Sequence, residues 1–235
     1  MSTLLLRLAA PLQSWGIASK FDTRDTAREP SKSGVIGLLA AALGRGRDEN
    51  MDDLTTLRFG VRIDQPGTLL RDYHTAMLDS KAPPFVTTRY YLTDAVFLVG
   101  LEGERVFLNK LKVALQNPFY PLYLGRRSCP PVGKLIVRVS DLGLLEALEE
   151  EPWQACEWFQ KKRRSRTIRL TIVHDAGPDE PGAFLRRDLP VSFDHRYRQY
   201  AFRMVRDAFE TVEMSDWTGS AEGATEHDAM AEWRV

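Results

Sequence analysis

The sequence predicts an α+β protein: a ferredoxin-like sandwich over residues 1–139 with an inserted β-hairpin, then a smaller part over 140–235. Two observations predict it. Strand-length apolar segments and helical patterns follow one another as β-α-β, hairpin, β-α-β up to about Val139. Glycine- and proline-rich breaks such as "LDSKAPP" and "NPFYPLYLGRRSCPPVG" fall between those segments rather than inside them. Two β-α-β units in one half are the arrangement used by RNA-recognition modules.

The elements follow in order. Thr3 to Leu8 is apolar and short, so a strand, and "APLQSWG" breaks it. Ser31 to Leu43 is a helix, with Ser31 placed to cap its start and Gly44 its end. "LTTLRFGVRID" alternates from Leu57 to Ile63 and is a second strand. Leu69 to Met77 and Phe85 to Leu92 flank "LDSKAPP" as a hairpin. "AVFLVGL" is a buried strand, and Val106 to Leu115 a helix with Leu108, Leu111 and Leu115 on one face. "KLIVRV" is another strand. Beyond it, Leu142 to Leu148 is a short helix and "RTIRLTIVHD" a strand. Tyr197 to Val212 fits both a helical face and an alternating strand. From residue 215 the tail is polar and rather acidic.

Composition sets the boundaries of function. The 235 residues carry 32 Lys and Arg against 32 Asp and Glu, so net charge points to no partner and only local charge can. No apolar run reaches the roughly 18 residues of a membrane span. The opening "MSTLLLRLAAPLQSWG" lacks a basic leader and reads as strand rather than signal peptide. Cys129 and Cys156 match no metal spacing and read as free thiols of a reducing cytoplasm. The histidines are scattered, and no cofactor or metal motif is present.

Four stretches carry candidate chemistry. In "TRDTAREPSKSGVIGLLAAALG", Arg24, Arg28 and Lys32 stand four apart ahead of a helix whose start adds Ser31, Ser33 and Gly34. A helix N-terminus attracts anions, so this end fits a polyanion. It equally fits a capped core helix preceded by solvated arginines. In "LGRRSCPP", Gly125, Arg126, Arg127 and Ser128 make a turn able to clamp a phosphate or a base edge, or simply a surface loop. "LRDYHTAM" and "TTRYYLTD" interleave Arg71, Tyr73, His74, Arg89, Tyr90 and Tyr91. Such a surface stacks unpaired bases, packs a hairpin on its body, or cleaves RNA by metal-free acid–base chemistry through Tyr73 and His74. "QKKRRSRTIR" holds six basic residues from Lys161 to Arg169 with no acid, a basic patch or a solvated charge run.

The combination "LLLRLAAPLQSWG", "TRDTAREPSKSGVIGLLAAALG", "LRDYHTA" and "YLGRRSCP", in that order from Thr3 to Pro131, closely resembles the CasD family. These are the guide-RNA-capping subunits of type I-E CRISPR Cascade complexes. The resemblance implies an RNA-recognition-type palm from Thr3 to about Val139, a thumb at about 69–93, and a sheet-like C-terminal part, which turns Tyr197 to Val212 toward strand. It implies a non-catalytic RNA-binding subunit that holds the guide's 5′ handle on Gln13, Trp15, Arg24, Arg28, Lys32, Ser33 and the Gly125–Ser128 turn. Its implied partners are a CasC-type backbone subunit, a large CasA-type subunit and, through the assembly, target DNA, with no membrane. The alternative is a metal-independent endoribonuclease that matures precursor guide RNA. A third reading is a single-strand RNA chaperone with no preference for the handle.

Overall fold

The computed structural model describes residues 1–16, 22–77, 84–163, 165–194 and 196–213. The hairpin tip at 78–83 and the tail from 214, both singled out in the sequence, lie outside them. In chain order the elements are β1 (Ser2–Ala9), β2 (Leu12–Gln13), β3 (Thr23–Arg24), α1 (Lys32–Leu43), α2 (Asp52–Thr55), β4 (Arg58–Gln65), β5 (Thr68–Ala76) and β6 (Phe85–Thr93). Then come β7 (Val96–Gly103), α3 (Arg105–Gln116), β8 (Ile136–Ser140), α4 (Leu144–Glu150), α5 (Glu157–Lys162), β9 (Thr167–Asp175), β10 (Phe184–Ser192) and β11 (Gln199–Glu213).

Seven strands form one antiparallel sheet in the order β10-β11-β9-β4-β7-β1-β8. The strands after residue 140 therefore extend the sheet begun by the first half. β1 reads as a continuous apolar run because it is buried on both faces. Leu4, Leu6 and Leu8 face α1 and α3 in the larger core, while Leu5 joins Leu98 and Ile172 beneath α4. As the spacing predicts, Leu108, Leu111 and Leu115 are the buried stripe of α3. The segment 197–212, open between helix and strand in the sequence, is strand: β11 pairs with β9 along Val205–Glu213 and with β10 along Gln199–Val205. Cross-strand hydrogen bonds and burial of Val205 outweigh its helical pattern.

A second, smaller sheet joins β2, β6 and β3, with β5 paired to β6. The β5–β6 hairpin has the register Arg71↔Tyr90, Asp72↔Arg89, Tyr73↔Thr88 and His74↔Thr87. β3 pairs parallel to β6, with Arg24 opposite Arg89.

Candidate nucleic-acid interface

Helix α1 is built as its caps require. Ser31 is extended (φ −80, ψ 149) and its Oγ accepts from the Gly34 N–H at 3.2 Å. Gly44, at φ +78, ends the helix, with its N–H donating to Ala41 O and that of Arg45 to Ala40 O. The loop after α3 docks on the same end: Phe119 N–H donates to Ala42 O at 3.0 Å and Tyr120 N–H to Ala41 O at 3.1 Å.

The helix start is not an open anion site. Asp188 of β10, fully buried, accepts from the Lys32 N–H at 2.9 Å. Lys32 Nζ donates to Asp175 at 2.9 Å, and Arg203 bridges Asp175 (2.6 Å) and Asp188 (2.6 and 3.0 Å). This ring of two cations and two carboxylates closes over the helix N-terminus, so its partial charge is met from within the protein. Burial pulls the Lys32 ammonium below its ordinary pKa, against the opposing pull of Asp175. Lys32, expected on RNA phosphate, is thus a structural cation. Ser33 is also buried, with its hydroxyl 3.3 Å from that of Ser31.

Gln13 and Trp15 are likewise internal. The Gln13 amide donates to Leu8 O (3.2 Å) and Ala95 O (2.7 Å) and accepts from Trp15 Nε1 (3.1 Å), with both side chains buried. Around them the motifs of the sequence converge. Ala27 N–H donates to Trp15 O at 3.0 Å, Trp15 N–H to Thr26 Oγ1 at 2.8 Å, and Ser14 N–H to Leu124 O at 3.1 Å. Gly125 sits at φ +86, and an added Cβ would lie 1.6 Å from Ser14 O, so only glycine lets this turn dock. Arg126 is bound into the knot: it stacks 4.6 Å over Tyr91 and donates to Arg24 O (2.8 Å) and Asp25 O (3.3 Å). Gln13 and Trp15 therefore hold the surface rather than form it, while Gly125 and Arg126 fix how the turn docks.

The knot displays three arginines, beside the exposed Asp22 and Asp25. Arg24, Arg28 and Arg127 are exposed, and their guanidiniums form no hydrogen bond or ion pair among the described residues. Ser128 is exposed beside Arg127, its Oγ 3.8 Å from Cys129 Sγ. Arg24 shares its sheet face with Arg89, whose Nε is buried and unpartnered. The hairpin divides the expected aromatic–cation set. Arg71, Tyr73 and Tyr90 lie on one face, and Asp72, His74, Arg89 and Tyr91 on the other. His74 is paired with Asp72. Tyr73 and His74 cannot act together on one phosphate, because neighbours in a strand point to opposite sides.

Beside the knot lies a cleft of about 590 Å³ over the small face of α1, bounded by Trp15, Gly37 and Ala41, by Tyr120 and Tyr123, and by Arg198 and Tyr200. Gly37 and Ala41 stand four apart on one helix face, and the tyrosine and arginine walls, missed in the sequence, come from the loop after α3 and the start of β11. Asp175, Asp188 and Arg203 were also missed as the residues that fix α1. Of the basic stretch, Lys161, Lys162, Arg163, Arg166 and Arg169 are exposed, with Arg163 over Phe159 (4.8 Å) and Arg169 over Phe209 (3.6 Å).

The antiparallel α+β sheet, its hairpin and the arginine-bearing knot lie in a chain whose sequence matches a known family. The sequence model described as CRISPR-associated protein (Cas_Cas5) matches residues 3–206, and the chain belongs to that family. It is similar to the CRISPR system Cascade subunit CasD of Escherichia coli (strain K12), 39% identical over 150 residues, 55% of this chain and 67% of CasD. It is also similar to a chain of a solved CRISPR RNA-guided surveillance complex, at 33% identity and TM-score 0.74 over 90% of this chain and 91% of that one. A crystal structure of a Cas protein matches at 43% identity and TM-score 0.68, over 88% and 94% of the two chains.

Proposed function

We propose that the chain is a non-catalytic RNA-binding subunit of a type I-E CRISPR surveillance complex, holding the 5′ handle of the guide RNA and capping the CasC-type backbone filament. The observation that carries this reading is the set of unpaired Arg24, Arg28 and Arg127 on a rigid knot, in a chain of this family. Guanidiniums on a fixed frame suit phosphates, which they bind through paired N–H donors. The strand order β8-β1-β7-β4, with α1 and α3 on one face, supports a ferredoxin-like palm of the RNA-recognition type. The β5–β6 hairpin is its thumb, offering Tyr73 and Arg71 on one face for stacking and phosphate contact. The large CasA-type subunit and target DNA meet this chain in the assembled complex. The free Cys129 and Cys156 suit work in the cytoplasm.

The endoribonuclease alternative loses its acid–base pair to the opposed directions of Tyr73 and His74. Co-expression with CasC-type subunits and precursor RNA tests the reading. The chain should purify in an RNA-containing assembly, and alone it should leave precursor intact with or without divalent metal. Cleavage at the handle boundary, abolished by His74→Ala, would replace the reading with the nuclease.

A further inference from the structure

The cleft over α1 has no occupant in the function proposed so far. Its floor is a helix face of small residues, Gly37 and Ala41 among them, and its walls include Tyr120, Tyr123 and Tyr200. None of these three hydroxyls makes a hydrogen bond among the described residues, and neither does the exposed Arg198 guanidinium at the same cleft. Flat floor, rings, unpaired hydroxyls and a free cation describe a site for a flat, polar, anionic ligand. The volume, about 590 Å³, is that of a small-ligand site.

Gly37 supplies an independent observation. Glycine inside a helix costs about 1 kcal/mol relative to alanine. Here the fold does not call for it: φ is not positive, and an added Cβ would meet only Phe193 Cζ, at 3.9 Å. The space above Gly37 is left open although the protein could fill it. At Gly34, one turn away, an added Cβ would lie 2.8 Å from Trp15, so there the glycine is a packing requirement.

We infer that this cleft seats one unstacked nucleotide, its base against the Gly37–Ala41 face and the tyrosine rings and its phosphate on Arg198. This rests on the RNA-binding reading and adds to it a place where a single base is taken out of the strand. The same chemistry would accept a free mononucleotide, so both sources are tested.

The experiment is an anisotropy titration of the full chain with single-stranded RNA of the cognate repeat's 5′ flank, scanned by abasic substitution at each position. In the wild type, removing one particular base should weaken binding about tenfold or more, the loss of one stack. Gly37→Leu, which fills the floor with a better helix former, should weaken binding to the intact RNA by a similar factor and erase the penalty at that position alone. Arg198→Ala, at an exposed and unpaired residue, should weaken binding without lowering Tm, and it decides the matter should Gly37→Leu unfold. AMP, GMP, CMP and UMP are titrated in parallel. Competition only at millimolar concentration assigns the seat to RNA, and saturable micromolar binding lost in Gly37→Leu assigns it to a free nucleotide. Folded Gly37→Leu and Arg198→Ala proteins that bind RNA and mononucleotides as the wild type does would overturn the inference while leaving RNA binding intact. A wild type that binds no RNA would overturn both.

Discussion

Arg24, Arg28 and Arg127 reach solvent without partners, whereas Lys32 closes a buried ring with Asp175, Arg203 and Asp188. Their substitutions should therefore separate binding from stability. Arg24→Glu/Arg28→Glu should weaken handle binding by about 2 kcal/mol or more and flatten its salt dependence, with Tm unchanged. Lys32→Met should instead lower stability by about 3 kcal/mol in urea melts, near the lower end for a broken buried pair because Arg203 still faces Asp175. At the far end of α1, hydrogen bonds from Arg45 hold the Asp53 carboxyl below its ordinary pKa. A carboxylate depressed by folding stabilises above its unfolded pKa, and the gain is lost as pH falls through the lower folded value. Urea melts should thus show Asp53→Asn less stable at neutral pH by no more than about 1 kcal/mol, the pair being partly exposed, with the difference vanishing in acid below the ordinary carboxylate range.

The turn Gly125–Ser128 and the β5–β6 hairpin depend on the fold in opposite ways. Gly125→Ala would force a Cβ into Ser14 O, so the turn should undock, lowering Tm and weakening RNA binding together. Tyr73, 65% exposed, should be removable to alanine without a change in Tm, and any effect should fall on RNA binding or assembly. The elements readable from sequence were those whose pattern is set by their own neighbours. β1 is apolar on both faces, α1 carries both caps, and α3 has one leucine stripe. β10 was not readable. "FLRRDLPVS" carries three charges and Pro190, which suits the edge of a sheet where one row of N–H groups has no partner. With β10 hidden, so was Asp188, and the start of α1 read as free to bind an anion. The site was legible as a set of motifs, but which of its residues face inward is decided by contacts across the chain, such as Ser14 to Leu124.

Across the molecule, a sheet that runs unbroken from β8 to β10 fixes the knot and the cleft in one frame. The ring at Lys32 joins the two halves of the chain, residues 32 and 175–203, at the helix that floors the cleft. A surface so held needs little ordering on binding, which favours recognition of a particular RNA end over indifferent coating of single strands. The measurement that bears on this most directly is the affinity of the purified chain for handle RNA and for a scrambled RNA of equal length, across a salt series, in wild type and Arg24→Glu/Arg28→Glu/Arg127→Glu. Handle RNA should bind at least about tenfold more tightly than the scrambled strand, and the triple reversal should weaken the binding of both strands and reduce the salt slope. Equal affinity for both RNAs in the wild type, or unchanged binding in the triple variant, would contradict it.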